Sequence, residues 1–247
     1  IIFCMASGGI YLLNDLLDAP RDRMNPRKMH RPIASGELGP GLAGITSLVL
    51  MGASLLFGFL VSVPFGMCTG AYLMAMIAYC VSLKNIFLID AMIIALGFVI
   101  RAIAGVIVLR TPQQEVPLTV WFVVCIIFLS LFVALCKRRS ELVRLSAGAV
   151  QFRPVLALYT TVLLDQLTLL CATGAVLSYT LYATTLRDPW MMLTTLPFVL
   201  YGVFRYMHLV FSMEDGEAPE ETLLSDRPLL GCVILWSVAL GFVFLSP

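Results

Sequence analysis

Asn14-Asp15-Leu16-Leu17-Asp18-Ala19-Pro20-Arg21-Asp22-Arg23-Met24-Asn25-Pro26-Arg27-Lys28-Met29-His30-Arg31-Pro32 is a polar run set between two strongly apolar stretches. Asn14, Asp18 and Asp22 recur every fourth residue, so on a helix they share one face. With Asp15 they supply four oxygen-bearing side chains within about two turns. That set suits a hard divalent cation such as Mg²⁺, which fills its remaining positions with water and substrate phosphates. The Arg and Lys side chains that follow suit phosphate oxygens. The local chemistry is that of a metal-assisted diphosphate site at a membrane surface. The plainer alternative is a solvated loop obeying the positive-inside bias. Ordered Asp spacing, the adjoining Asn and the basic run together favour a site.

Composition supports the membrane setting. The chain has 247 residues, 60% of them hydrophobic and 13% charged, with a mean hydropathy of +0.96. Soluble domains are about 45–50% apolar and about 25% charged. The chain opens inside an apolar run, Ile1-Ile2-Phe3-Cys4-Met5, with no basic n-region or cleavage site of a signal peptide. Its seven cysteines form no Cys-x-x-Cys pair and fall mostly within apolar runs, where they serve as small buried hydrophobes. Nucleic acid is not an expected partner.

Apolar stretches fall at about 1–17, 40–61, 65–83, 88–109, 117–136, 156–183, 190–211 and 228–246. Each approaches the roughly 20 residues a helix needs to cross a bilayer, so eight helices are expected. Loops at 18–39, 84–87, 137–155 and 212–227 hold or flank all the Lys and Arg residues except Arg101, Arg110 and Arg187. The positive-inside rule makes that side cytoplasmic. It also implies a further helix ahead of Ile1, nine in all.

The run from Asn14 through Lys28 to Arg31-Pro32-Ile33-Ala34-Ser35-Gly36 resembles the first aspartate motif of the UbiA prenyltransferase superfamily. Four further stretches narrow the resemblance: Tyr79-Cys80-Val81-Ser82-Leu83-Lys84, Arg101-Ala102-Ile103-Ala104-Gly105, Lys137-Arg138-Arg139-Ser140-Glu141-Leu142, and Ser225-Asp226-Arg227-Pro228-Leu229. They are similar to the decaprenyl-phosphate phosphoribosyltransferase branch. The resemblance implies an all-α, polytopic membrane helical bundle of the UbiA type, forming a single domain over 1–247. It implies an integral protein of the bacterial plasma membrane with a cytoplasmic active site. The implied reaction moves 5-phosphoribose from phosphoribosyl diphosphate to a polyprenyl phosphate, with Mg²⁺ and release of diphosphate.

The second motif has a physical logic of its own. Aromatic prenyltransferases of the superfamily place a prenyl diphosphate between two acidic motifs. Here the second motif carries three cations and one carboxylate, which suits a donor with a further phosphate at its far end. The resemblance thus gives Asn14, Asp18 and Asp22 to the metal, with Asp15 assisting, and Asp18, Asp22 and Lys28 to the chemistry. Arg31, Tyr79, Lys84, Lys137, Arg138 and Glu141 join Asn14, Asp15 and Lys28 in substrate binding. Lys84 is either a phosphate ligand or an interfacial lysine whose head reaches water. Glu141 either ligates metal or orients Lys137 and Arg138. Arg101 lies mid-helix, where a charge is usually partnered or functional; its partner is either Asp165 or a lipid phosphate. His30 flanks the site, Asp90 caps a helix, and the acidic run from Glu214 to Glu221 is a solvated loop face.

Two other functions compete. A UbiA-type prenyltransferase acting on an aromatic acceptor would need a second Asp-rich motif. A membrane transporter would account for Arg101 and Asp165 but not for the ordered polar motif.

Overall fold

The computed structural model describes residues 1–25, 28–109, 118–145, 154–186, 188–212 and 219–245. The described residues hold helices and no strand. Seven segments are long and apolar enough to cross a membrane: Ile2–Asp22, Pro40–Val61, Val63–Val81, Ile89–Leu109, Val120–Val143, Thr161–Thr184 and Pro189–Ser212. The eighth expected segment is a helix over Arg227–Leu245. Its apolar part, Arg227–Val243, is shorter than the other spans. The acidic run Glu214–Glu221 lies partly outside the described residues, as do Arg27, Arg110, Arg153 and Arg187.

The chain divides into two compact units, one of Ile1–Leu118 with Val150–Leu158, the other of Thr119–Ala149 with Tyr159–Pro247. In the first, α1 (Ile2–Asp22) packs against α3 (Pro40–Val61) and α4 (Val63–Val81), and α4 packs against α5 (Ile89–Leu109). Ala6, Ile10, Tyr72, Leu73, Met76 and Cys80 form the core between α1 and α4. A four-residue helix, α2 (Pro32–Ser35), lies between α1 and α3. Its sequence sets both ends. Arg31 is extended at the N-cap, Pro32 supplies the first-turn φ, and Gly36 takes φ 89°, a left-handed conformation that favours glycine. Ile33 is buried with Ala19 and Ala43, which ties α2 down beside α1.

Where α1 meets α3 the backbones come close. Ser47 Oγ donates to the Gly9 carbonyl at 2.7 Å, and a Cβ on Gly9 would lie 2.7 Å from Met51 Cγ and 3.0 Å from the Ser47 carbonyl. Gly9→Ala should force the helices apart, and overpacking of this kind costs about 1–3 kcal/mol. A lowered thermal unfolding midpoint of the detergent-purified protein would show it. The change should also loosen the acidic turn that follows on α1.

In the second unit, α6 (Val120–Leu145) and α7 (Thr161–Thr184) pack along their length. The expected span at 190–211 is broken into α8 (Pro189–Leu193) and α9 (Leu196–Ser212). The break is a buried hydroxyl cluster. Thr195 Oγ1 donates back to the Met192 carbonyl at 2.6 Å and meets the Tyr179 hydroxyl at 2.5 Å, which also accepts from Trp236 Nε1 at 3.1 Å. Apolar periodicity alone does not reveal such a break. The short helix α10 (Pro219–Ser225) leads into α11 (Arg227–Leu245).

Candidate active site

The acidic motif occupies the last turns of α1, which continues through Pro20 to Asp22. Two cations divide its oxygens. Lys84, on the 3₁₀ turn Leu83–Asn85 before α5, donates from Nζ to Asp18 Oδ1 at 2.7 Å and to Asn14 Oδ1 at 3.2 Å. Arg31, at the start of α2, donates from one Nη to Asp15 Oδ1 at 2.7 Å and to Asp22 Oδ2 at 3.0 Å. The chain between Lys84 and α5 bends sharply at Leu88, whose φ is 63°. The side chain of Lys84 is only 12% exposed. A lysine reaching for water would be far more open, so this one is drawn into the motif.

This arrangement decides how well a metal fits. The oxygens of Asn14 and Asp18 converge on one cationic nitrogen, so they are already arranged around positive charge. Among the described residues no three His, Cys, Asp or Glu side chains converge to form a protein-only metal cage. Mg²⁺ rarely uses such a cage; one or two carboxylates with phosphate and water are its usual set. The donor set therefore fits Mg²⁺ bound together with a diphosphate.

Lys28 is half-buried and forms no ion pair among the described residues. Tyr79 is half-buried against the α1–α4 core. Arg23, which sequence reasoning did not single out, donates from Nε to the Ala34 carbonyl at 3.2 Å and so helps fasten α2 to α1. His30 is exposed. Asp90 lies in the first turn of α5 and is fully buried.

The basic motif lies on α6 in the second unit, and its three cations have different surroundings. Arg138 is 1% exposed and donates to Glu141 Oε2 at 2.6 Å. Arg139 donates from Nε to Asp165 Oδ1 at 2.6 Å and from an Nη to the Val210 carbonyl at 3.1 Å, with its guanidinium over the Phe211 ring. Lys137 is half-buried and has no ion pair among the described residues. Of the two roles open to Glu141, the one seen is pairing with Arg138. Asp165 is committed to Arg139 and is not the partner of Arg101.

A further pair was not expected. Arg205 on α9 makes two hydrogen bonds to the Asp226 carboxylate, at 3.2 and 2.7 Å, while Asp226 Oδ1 accepts from the Leu229 amide at 2.8 Å. Asp226 thus caps α11 and clamps it to α9. The Arg205 hydrogen bonds, aided by the Leu229 amide, hold the Asp226 carboxyl below the usual carboxylate range. An Asp just before an Arg-Pro helix start is a legible N-cap signal; its arginine partner is not legible.

Residues 1–225, which include the helix-borne Asn and three Asp, match the UbiA prenyltransferase family model. The chain belongs to the UbiA prenyltransferase family. It is 32% identical over 244 residues to the decaprenyl-phosphate phosphoribosyltransferase of Corynebacterium glutamicum, covering 96% of this chain and 71% of the relative. It is 33% identical over 254 residues to that of Mycolicibacterium smegmatis, covering 98% and 77%. The fold is also similar to a solved UbiA homologue from Archaeoglobus fulgidus bound to GPP and Mg²⁺. That likeness has a TM-score of 0.74 at 17% identity and covers 98% of this chain and 84% of the other. This UbiA-family transferase is accordingly an integral membrane protein.

Proposed function

We propose that this UbiA-family transferase moves 5-phosphoribose from phosphoribosyl diphosphate to a polyprenyl phosphate. The observation that carries the proposal is the contrast between the two motifs. The motif on α1 is acidic, whereas the one on α6 has three cations against one carboxylate. The printed names of the relatives at 32–33% identity support it.

The proposed division of labour follows from the contacts. Asn14, Asp18 and Asp22 would hold Mg²⁺, with Asp15 assisting; bound there, Mg²⁺ neutralises charge on the leaving diphosphate. Lys84 and Arg31 hold the carboxylates in place, and both cations are assigned to phosphate oxygens of the donor. Lys28, free of an ion pair among the described residues, is placed on the diphosphate as well. Lys137 is assigned the 5-phosphate, while the neighbouring Arg138 is held by its pair with Glu141. Tyr79, half-buried against the α1–α4 core, is assigned to substrate binding.

In the reaction the bond from the ribose C1 to the diphosphate oxygen breaks, and a bond forms from C1 to an oxygen of the polyprenyl phosphate. Positive charge builds on the ribose, as in other sugar transfers. The attacking phosphate is already anionic at neutral pH, so no proton must be removed first. The motifs contain no histidine at their acidic positions, in keeping with this. We assign residues 1–247 to one domain, supported by a family match that runs across both compact units.

Two measurements bear on metal and topology. Diphosphate release should stop on chelation of divalent cations and return with added Mg²⁺; release that persists in excess chelator would remove the metal from the proposal. The loop cations support a cytoplasmic face for the motif. Asn25→Cys and Val63→Cys, each in a cysteine-free background, should then label from opposite sides of the membrane. Labelling of both from one side would contradict that placement.

A further inference from the structure

The geometry points to Arg101 as a binding residue for a lipid phosphate within the membrane span of the first unit. Its assignment to the acceptor lipid rests on the phosphoribosyl-transfer reading; the site itself does not. Arg101 is the thirteenth of the 21 residues of α5, roughly 18 Å along the helix from Ile89 at about 1.5 Å per residue. A cation at such depth is expensive unless it is paired or functional. Among the described residues no carboxylate pairs with it. Asp165 is bonded to Arg139, and the α1 carboxylates Asp15, Asp18 and Asp22 are bonded to Arg31 or Lys84.

The guanidinium is nevertheless held in place. Its carbon lies 4.3 Å from the Phe98 ring centroid and 5.5 Å from that of Tyr72, and Nε donates to the Gly97 carbonyl at 3.4 Å. Phe98 and Gly97 lie one turn back along α5, so the side chain runs toward the N-terminal end of the helix, which the turn bearing Lys84 precedes. Aromatic contact and the Nε bond engage the ring-facing side of the guanidinium and its Nε, and no carboxylate among the described residues takes up the Nη edge of the fork. That edge is the part of arginine that binds phosphate in bidentate fashion. One turn deeper, Gly105 is exposed, with nothing within 4 Å of where a Cβ would be. A lipid whose phosphate sits at Arg101 has room there for its alkyl chain to continue along α5. A soluble phosphate has no apolar portion to use that space.

The test compares purified wild-type protein with Arg101→Met and Arg101→Lys. Binding of decaprenyl phosphate, phosphatidylglycerol, inorganic phosphate and phosphoribosyl diphosphate is measured for each, and unfolding midpoints confirm the fold. Arg101→Met should weaken decaprenyl phosphate binding at least tenfold and leave phosphoribosyl diphosphate binding unchanged, with no measurable site for inorganic phosphate. Arg101→Lys keeps the charge but not the fork, and should lose affinity to an intermediate degree; it decides the matter if Arg101→Met does not fold. A loss confined to phosphatidylglycerol would keep the lipid-phosphate site and overturn its assignment to the acceptor. Unchanged affinity for both lipids in the folded variants would overturn the site, as expected of an arginine that only packs against Phe98 and Tyr72. Lipid binding that depends on Arg101 in a protein unable to use phosphoribosyl diphosphate would leave the site standing while the phosphoribosyl reading falls.

Discussion

Asp18→Asn is expected to lower turnover by about a hundredfold to a thousandfold while the helices stay folded. The magnitude follows from the charge that a divalent cation contributes at a departing diphosphate, several kcal/mol, where each 1.36 kcal/mol is about a factor of ten in rate. Asparagine keeps the oxygen that accepts from Lys84 at 2.7 Å and removes only the negative charge. The loss should therefore appear in the rate of diphosphate release far more than in the unfolding midpoint. Asn14 still accepts from Lys84 at 3.2 Å, which helps keep the ammonium anchored. Near-normal turnover in well-folded Asp18→Asn protein would exclude Asp18 from the metal site.

The basic motif supplies the second large effect, and it splits between neighbouring residues. Arg138→Ala should destabilise the protein by about 3–5 kcal/mol, because it strips a buried carboxylate of its cation. The Glu141 side chain is 9% exposed and that of Arg138 1%, so neither can turn to water in place. Replacing both, as Arg138→Met with Glu141→Leu, should recover much of the loss, since an apolar pair of similar volume needs no partner. Lys137→Ala should leave the unfolding midpoint alone and weaken binding of phosphoribosyl diphosphate by about tenfold to a hundredfold, the loss of one charge-assisted hydrogen bond of about 1.5–3 kcal/mol. Polyprenyl phosphate binding should change little. Equal, small losses for both substrates would make Lys137 an interfacial cation only.

Much of this architecture is written locally in the chain, and some is not. The helix through Asn14, Asp18 and Asp22 follows from four-residue spacing, and the stop and restart around α2 from Pro32 and Gly36. The spans follow from apolar length. What escapes a linear reading is pairing between distant residues. Lys84 lies 66 residues beyond Asp18 and Arg139 lies 26 before Asp165, and no periodicity connects them. Sequence alone treats Lys137, Arg138 and Arg139 as one cluster; on a helix they point about 100° apart, but only the neighbours packed around it decide which is buried and which exposed. The break at Thr195 is hidden for a related reason. Its hydroxyl is satisfied by Tyr179 from another helix, and a threonine in an apolar run carries no such mark.

The choice of donor is the centre of the account, and a direct comparison on the wild-type protein tests it. Purified full chain with Mg²⁺ is given phosphoribosyl diphosphate with decaprenyl phosphate in one reaction, and a prenyl diphosphate with an aromatic acid in the other. Diphosphate release and a new lipid-linked phosphoribose in the first reaction alone are the predicted result. Turnover of only the second pair would contradict the account and make the protein an aromatic prenyltransferase of the same family.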